Sequence, residues 1–368
     1  MKKVVTIIGT RPQLVKAAVV SSALRKKTKE VLVNTGQHYD HNMAGVFFEE
    51  LGIPAPDYNL NIGSGTHGAQ TGAMLTEVEK VLENEQPDGV LVYGDTNSTL
   101  AGTLAASKMH IPVFHVEAGL RSYNKEMPEE INRIMTDHVS TLLFAPTETA
   151  VINLKDEGIS EGVIKTGDVM YDATLRFIQA AERDRSLESF GLTSDQFILA
   201  TVHRAENTDR PERLAGLFHA LNRAETKVVL PLHPRTRKKL QEANLFHLVE
   251  HSPTIQLLDP LSYLDMLLLE KHARYIVTDS GGVQKEAYFA QTPCLTVRDE
   301  TEWGETITAG WNRLVSPIGL DLEAERRQLH PLEGTTTLYG DGHASEHIAD
   351  HIASELQKEE VGTWAAHS

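Results

Sequence analysis

Short turns rich in glycine and charged residues follow several apolar runs in this sequence of 368 residues. The first is Gly9-Thr10-Arg11-Pro12, which separates a β-branched run from a segment with helical composition. A helix that begins there directs its unpaired N–H groups and positive dipole end at the space above the strand, where Arg11 and Lys16 add two cations. This combination predicts an anion site. The alternative is a surface arginine at an ordinary turn, because neither GxGxxG nor GxxxxGK[ST] follows the run.

Further polar residues follow the other apolar runs. They are Gln37, His38, Asp95, His115, Glu117, His203, Arg204, His233, Asp279 and Ser280. Each alone has a simpler explanation, since an Asp or Ser after a strand often caps the next helix and a single histidine is usually structural. Because the carboxyl ends of parallel strands share one edge of a sheet, their recurrence predicts a polar rim that binds a ligand.

The segment "TDSGGVQKEA" carries the sharpest local pattern. Ser280, Gly281 and Gly282 at a strand-to-helix turn let backbone N–H groups approach a phosphate closely. Glu286, about one helical turn further on, can accept hydrogen bonds from a diol. The pattern predicts a diphosphate joined to a ribose, and the alternative is a glycine-rich turn with an ordinary helix cap.

A second cluster lies in "HVEAGLRSYNKEMPEEINRIMTDH". Glu117 follows a mostly apolar run, as Asp95 does, and carboxylates held together at strand ends can take unlike pKa values and divide acid and base roles. Pro128 favours a helix start, after which Glu129 and Arg133 share a face, where an exposed ion pair is the alternative explanation. No metal site is predicted, because the spacing of the nearby histidines along a strand puts them on mixed faces.

Composition excludes several classes of protein. The formal charge of −16, from 35 basic and 51 acidic residues, argues against a nucleic-acid partner. No apolar stretch reaches the roughly 18 residues of a membrane span, and the N-terminal run is too short for a signal peptide, so a cytoplasmic protein is expected. Cys294, the only cysteine, rules out an internal disulfide or a CxxC site, and its neighbours suggest a buried strand.

Apolar runs alternate with helical segments along the chain, which predicts parallel, doubly wound α/β sheets. The alternation breaks from Met170 to about Gln196 and then resumes. We therefore predict two Rossmann-like domains, residues 1–169 and 170–344. A C-terminal helix over about 345–368 has apolar positions at helical spacing and can pack on either domain.

Six short motifs of the sequence resemble those of the non-hydrolysing UDP-N-acetylglucosamine 2-epimerase family. In order from Gly9 to Ala287 they are "GTRP", "GDTNSTLAG", "HVEAGLRS", "PEEINR", "TVHRAEN" and "TDSGGVQKEA". The resemblance implies a GT-B-like fold, in which two Rossmann-like domains with parallel sheets face each other across a cleft and the terminal helix joins the first domain. It also implies a homodimer.

The reaction implied by this resemblance is epimerisation at carbon 2 of a UDP-N-acetylhexosamine, UDP-GlcNAc to UDP-ManNAc. It proceeds by anti elimination of UDP to 2-acetamidoglucal and re-addition, with no cofactor or metal. The implied acid–base and proton-positioning residues are Asp95, Glu117, Glu129 and His203. The implied substrate-binding residues are Arg11, Lys16, Arg133 as partner of the helix carboxylate, His233, Ser280, Gly281, Gly282 and Glu286, the last at the ribose.

The sequence departs from the family pattern in two motifs. Gln13 replaces the acid of "GTRPE", and Trp303-Gly304 replaces an Arg-Pro pair. Both resemble a subgroup acting on UDP-2,3-diacetamido-2,3-dideoxy-glucuronate, which is the alternative substrate. The same words are also compatible with a GT-B glycosyltransferase, a hydrolysing epimerase or a nucleotide-sugar binding protein without turnover.

Two further segments, "TGQHYDHNM" and "THGAQTG", only partly resemble those that bind a second, activating UDP-GlcNAc in bacterial members of the family. Allosteric activation is therefore not expected.

Overall fold

The computed structural model describes residues 1–37, 48, 50–332 and 337–365. His38 and most of the "TGQHYDHNM" segment lie outside the described residues. The chain divides into two compact units. Unit 1 comprises Met1–Ala173 and Leu338–Ser368, and unit 2 comprises Thr174–Thr337.

Unit 1 contains a parallel sheet of seven strands. They are β1 (Lys3–Ile8), β2 (Lys29–Asn34), β3 (Tyr58–Asn59), β4 (Gly89–Tyr93), β5 (Val113–Val116), β6 (Leu142–Ala145) and β7 (Val163–Lys165). Their order across the sheet is β3-β2-β1-β4-β5-β6-β7. The described helices that follow these strands are α1 (Arg11–Leu24), α2 (His67–Glu85), α3 (Asn97–Lys108), α4 (Pro128–Val139), α5 (Glu148–Asp156) and α6 (Val169–Asp184).

Unit 2 contains a parallel sheet of six strands. They are β8 (Phe197–Thr201), β9 (Lys227–Pro231), β10 (Ile255–Leu258), β11 (Tyr275–Thr278), β12 (Cys294–Thr296) and β13 (Asn312–Leu314), in the order β10-β9-β8-β11-β12-β13. The described helices are α7 (Ala205–Thr208), α8 (Pro211–Asn222), α9 (Pro234–Glu242), α10 (His247–Glu250), α11 (Tyr263–His272), α12 (Gly281–Ala290), α13 (Gly304–Thr308) and α14 (Leu322–Arg326).

The central strands are buried because helices cover both faces of each sheet. Every residue of β4 and of β5 is buried, as the continuous apolar runs of a doubly covered parallel sheet require. Local caps then start the helices at the strand ends: Thr66 and Thr96 accept hydrogen bonds from backbone N–H groups of α2 and α3. The fold prediction of parallel-sheet α/β domains is therefore confirmed.

The C-terminal helix α15 (Ala344–Ala365) belongs to unit 1 and packs against α1. The Asp172 carboxylate accepts hydrogen bonds from the backbone N–H groups of Ala344 and Ser345 at 3.1 and 2.7 Å. This places an anion at the positive end of the helix dipole. None of the described helices combines the length and apolar character that crossing a bilayer requires.

The order of strands reverses between β1 and β4 in unit 1, and between β8 and β11 in unit 2. In open α/β sheets, ligands bind outside the carboxyl ends of the strands at such reversals. Each unit therefore has one edge where a ligand site is expected.

Cys294 lies in β12, where burial raises the pKa of its thiol to about 12, so it is a packing residue.

Candidate functional site

In unit 1, two neighbouring strands place carboxylates at the same edge of the sheet. Asp95 lies two residues beyond the end of β4, and Glu117 directly follows β5. Their strands pair in parallel register from Val90–Val113 to Tyr93–Val116. The predicted convergence of these two side chains at one rim therefore follows from strand pairing.

Glu117 forms a buried ion pair with Lys16, which reaches it from the second turn of α1. Lys16 is 8% exposed and Glu117 is also 8% exposed. Gly94 directly follows β4, and a Cβ atom there would lie 3.3 Å from Glu117 Oε2 and 3.7 Å from Lys16 Nζ. Glycine at this position thus leaves room for the ion pair and accommodates a φ of +61°.

Glu117 itself has a φ of +69°, in the left-handed region that residues other than glycine rarely adopt. Such a conformation costs roughly 1–3 kcal/mol and persists only where the surrounding contacts enforce it. Because backbone strain of this kind concentrates at functional sites, it is an independent indication that Glu117 belongs to one.

Asp95 pairs with Arg133, which projects from α4. The guanidinium also donates to Glu130 at 2.8 Å. Burial disfavours the charged form of Arg133, but the two carboxylates outweigh this and raise its pKa above the ordinary value. The i, i+4 pair of Glu129 with Arg133 is therefore not formed: Glu129 is exposed, and its neighbour Glu130 takes the arginine because it lies on the buried face of α4.

Glu130 has a second task that the sequence did not indicate. Its carboxylate accepts hydrogen bonds from the backbone N–H groups of Ser122 and Tyr123, both at 2.9 Å, and from the Ser122 hydroxyl. These bonds and Arg133 overcome burial and lower the pKa of Glu130. Glu130 thus ties the loop before α4 to the helix, a role with no local sequence signature.

Gln13, which replaces the acid of the family's "GTRPE" motif, is 1% exposed and bridges two turns. Its Oε1 accepts from the backbone N–H groups of Gly9 and Thr10 at 2.8 and 3.1 Å. Its Nε2 donates to the Tyr93 carbonyl at 2.8 Å. The side chain therefore connects the turn that carries Arg11 with the turn that carries Asp95.

His115 has a structural role, because protein groups engage both of its ring nitrogens. It is fully buried, and its Nδ1 faces Asp137 Oδ1 at 2.7 Å. Asp137 also accepts from Arg121 at 2.7 Å, and His115 and Arg121 hold its pKa below the ordinary value despite burial. Among the described residues, no group of three His, Cys, Asp or Glu side chains is arranged to hold a metal ion.

In unit 2, Asp279 holds the strand-end turns together. This fully buried carboxylate follows β11 and accepts from the backbone N–H groups of His203 and Arg204, which follow β8, at 3.0 Å each. Asn207 donates to it at 3.2 Å. Asp279 therefore connects two strand-end turns in unit 2, as Gln13 does in unit 1. The sequence had instead suggested that Asp279 caps a helix.

His203 and His233 stand at the ends of β8 and β9, with ring centroids 5.5 Å apart. Burial lowers the pKa of His203 below its ordinary value; His233 and Arg204 act in the same direction and Asp279 opposes them. His203 is consequently neutral at pH 7, with Nδ1 facing Asp279 Oδ1 at 3.4 Å. His233 caps α9 by accepting from the backbone N–H of Arg235.

The "DSGG" residues form a strand-to-helix turn between β11 and α12. Ser280 caps the helix, and its Oγ accepts from the Val283 N–H at 3.4 Å. A Cβ at Gly282 would meet only Ser280 Oγ, at 3.8 Å, so there is open space beside this residue. A Cβ at Gly281 would lie 2.9 Å from Glu302 Oε1, so the end of the Glu302 side chain lies close to this glycine.

Glu286, on the second turn of α12, stands beside a buried acid that the sequence analysis missed. Glu270 of α11 is 1% exposed, and burial, together with the charge of Glu286, raises its pKa well above the ordinary value. The sequence signal for Glu270 is an acidic residue at a core-facing position of a mostly apolar helix.

Trp303, the other departure from the family pattern, packs against the helix that follows the glycine turn. The ammonium group of Lys285 lies 4.3 Å from the centroid of its ring, a cation–π contact. Lys285 is 5% exposed, so this contact is largely shielded from water.

Comparison with known proteins agrees with this geometry. A family model described as UDP-N-acetylglucosamine 2-epimerase matches residues 22–353. The chain is 51% identical to the UDP-2,3-diacetamido-2,3-dideoxy-D-glucuronate 2-epimerase of Pseudomonas aeruginosa, over 95% of this chain and 99% of that protein. It is 50% identical to a UDP-N-acetylglucosamine 2-epimerase homolog of Methanococcus maripaludis, over 95% and 98%.

A solved structure is similarly close. It is the UDP-GlcNAc 2-epimerase of Methanocaldococcus jannaschii in complex with UDP-GlcNAc and UDP, which superimposes with a TM-score of 0.84 at 46% identity and covers 96% of this chain and all of that one. The predicted resemblance is therefore confirmed.

Proposed function

Since the chain belongs to the UDP-N-acetylglucosamine 2-epimerase family and is an isomerase, we propose that it converts UDP-GlcNAc to UDP-ManNAc by inverting carbon 2. The observation that carries this proposal is the pair of carboxylates at the ends of β4 and β5, each joined to a cation delivered by a helix. A base and a cation held together suit a reaction in which a proton and an anionic leaving group depart together.

In the elimination step, a carboxylate takes the proton from carbon 2, and the electron pair of that bond forms the double bond between carbons 1 and 2. The bond from carbon 1 to the diphosphate oxygen breaks, which releases UDP and leaves 2-acetamidoglucal. In the return step, UDP adds to carbon 1 and a proton is delivered to the opposite face of carbon 2. The product then differs from the substrate only in configuration.

We assign acid–base and proton-positioning work to Asp95, Glu117, Glu129 and His203. The neutral state of His203 supports its place in this set, because a neutral imidazole can accept a proton. Arg11 and Lys16 stabilise negative charge, and Arg133 orients Asp95. On the nucleotide we place His233, Ser280, Gly281, Gly282 and Glu286, the first four at the diphosphate and the last at the ribose.

A second candidate substrate is UDP-2,3-diacetamido-2,3-dideoxy-glucuronate. The observation in its favour is the 51% identity to a relative named for that substrate, against 45% for the M. jannaschii UDP-N-acetylglucosamine 2-epimerase. The chemistry at carbon 2 is the same for both sugars.

Incubation of the protein with each UDP-sugar in deuterium oxide tests the proposal. We expect NMR to show deuterium at carbon 2 and the manno epimer, with free UDP far below the amount of sugar turned over. Free UDP equal to the sugar consumed would indicate a hydrolysing enzyme. No deuterium with either sugar would contradict epimerisation and leave a transferase or a binding protein.

We also propose that the protein is a homodimer, because α4 has its polar residues inside and its apolar residues outside. Glu130, Asn132 and Asp137 are buried, whereas four apolar residues spaced four apart are exposed. These are Met127, Ile131, Met135 and Val139. An apolar stripe on one helix can meet its own copy across a two-fold axis, which satisfies the self-complementarity of such an interface.

Two substitutions on that stripe test the dimer. We expect I131E together with M135E to convert a dimer to a monomer in sedimentation velocity, because two charges per chain would be buried at the interface. The matched control is I152E on α5, since Ile152 is exposed to 49% and Ile131 to 50%. A wild-type monomer, or a dimer that survives the double substitution, would rule out this surface. We also propose a cytoplasmic location, because a chain with a single, buried cysteine has no internal disulfide of the kind typical of secreted proteins.

A further inference from the structure

Three consecutive carbonyl groups in the turn after β4 are each held by a buried side chain from a different element. Gln13 Nε2 of α1 donates to the Tyr93 carbonyl at 2.8 Å, His115 Nε2 of β5 to Gly94 at 2.8 Å, and Asn132 Nδ2 of α4 to Asp95 at 2.9 Å. The three donors are 1, 0 and 6% exposed. We call this set of three hydrogen bonds the carbonyl clamp.

The carbonyl clamp holds the peptide planes on both sides of Asp95. A peptide unit is planar, so a hydrogen bond to its oxygen orients the whole unit. His115 orients the Gly94–Asp95 plane and Asn132 orients the Asp95–Thr96 plane. Because these planes meet at the Asp95 Cα atom, the direction of its Cα–Cβ bond is set by the clamp.

Two of the three donors make further hydrogen bonds. Gln13 Oε1 accepts from Gly9 N–H, and Asn132 Nδ2 lies 3.2 Å from Asn97 Oδ1 as well. The next residue along α4 after Asn132 is Arg133, which pairs with the Asp95 carboxylate. Successive residues of one helix therefore hold the backbone and the side chain of Asp95.

The His115 ring is held by a hydrogen-bond contact at each of its two nitrogens. Its Nε2 faces a carbonyl oxygen, which only accepts, and its Nδ1 faces the Asp137 carboxylate. Arg121 and the Gly119 N–H also donate to Asp137, so this carboxylate is kept ionised. Contacts at both ring nitrogens therefore hold the imidazole ring in one orientation.

We propose that Gln13, His115 and Asn132 are positioning residues that aim Asp95 at the substrate. The proposal rests on the proposed function, because it takes Asp95 as an acid–base residue. A displacement of about 1 Å at a reacting group can cost on the order of 100-fold in rate, and this loss falls on the chemical step rather than on binding.

The test uses Asn132→Leu and Gln13→Met, which keep size and remove the donor. For the full-length chain we would measure kcat and KM for deuterium incorporation at carbon 2, UDP affinity by calorimetry, and the melting temperature. We expect kcat to fall about 100-fold, with KM and UDP affinity within roughly threefold of wild type. His115 is left intact because its replacement would strand the buried Asp137 and Arg121 charges.

Gln13→Glu is the conservative variant that distinguishes positioning from folding. Its carboxylate still accepts from the Gly9 and Thr10 N–H groups, but it has no proton to donate to the Tyr93 carbonyl, to which the Thr99 hydroxyl continues to donate at 2.6 Å. We therefore expect kcat to fall as in Gln13→Met, with a melting temperature nearer that of wild type. The matched control is Gln256→Met, which removes an amide donor from the Phe190 carbonyl in unit 2 and should leave kcat unchanged.

Two results would overturn the carbonyl clamp as a positioning device. One is a kcat within threefold of wild type in both donor-free variants. The other is a loss of kcat that the control variant shares, or that a weakened UDP affinity and lower melting temperature accompany to the same degree. If the wild-type chain incorporates no deuterium, the proposed function itself fails, which is a different observation.

Discussion

Replacement of Asp95 by asparagine is expected to abolish exchange of the carbon-2 proton with solvent deuterium, while UDP still binds. An amide cannot accept the proton, and removal of a general base typically costs 10²- to 10⁴-fold in rate. The nucleotide turn of unit 2, which we assign to UDP, does not include this residue. NMR in deuterium oxide measures the exchange, and calorimetry measures UDP affinity.

The chain offers a matched control on the same strand. Asp88 directly precedes β4 and Asp95 lies two residues beyond its other end, so the two carboxylates stand at opposite edges of one sheet. Asp88 pairs with Lys2 at 3.1 Å near the surface. Asp88→Asn should retain exchange at the wild-type rate. Exchange that persists in Asp95→Asn would remove Asp95 from the mechanism.

Replacement of Lys16 by methionine is expected to have the largest effect on stability. It leaves the Glu117 carboxylate buried without its cation, and loss of one partner of a buried ion pair typically costs about 3–5 kcal/mol. The free energy of unfolding of unit 1 should fall by this amount, as measured by calorimetry. The rate of carbon-2 exchange should fall as well, because Lys16 is assigned to the departing anion.

The double variant Lys16→Met with Glu117→Gln separates the two effects. Both replaced side chains are neutral, so we expect most of the lost stability to return while the rate of carbon-2 exchange stays low. A cycle in which the two single effects simply add would contradict a direct ion pair. Lys80→Met is the control, because Lys80 and Glu77 form an exposed pair whose loss should change stability by less than about 1 kcal/mol.

Much of the fold could be predicted because it depends on local patterns. Continuous apolar runs indicated buried parallel strands, and the residues after them marked the ligand edge of each sheet. The glycine turn before α12 was likewise recognisable from its composition, because Ser280 followed by two glycines marks a strand-to-helix turn. The family resemblance followed from these same turns.

Partnerships between side chains were not predictable in the same way. Arg133 is four residues from Glu129, yet it pairs with Asp95 and Glu130. Helical spacing states which residues share a face but not which face turns inward, and α4 turns its polar face inward. The exposed apolar stripe of that helix was missed for the same reason.

By itself, then, the sequence determined the alternation of strands and helices, the sites of the turns and the chemical types gathered along each sheet edge, because these depend on residues close together in the chain. Only the tertiary structure decided that Gln13, His115 and Asn132 meet one turn, since β1, β4 and β5 become neighbours through strand order. It also decided the left-handed backbone conformation of Glu117, which residues other than glycine rarely adopt. There the Glu117 side chain forms its buried ion pair with Lys16. Such contacts depend on long-range packing, where the burial of polar groups forces each donor to find an acceptor.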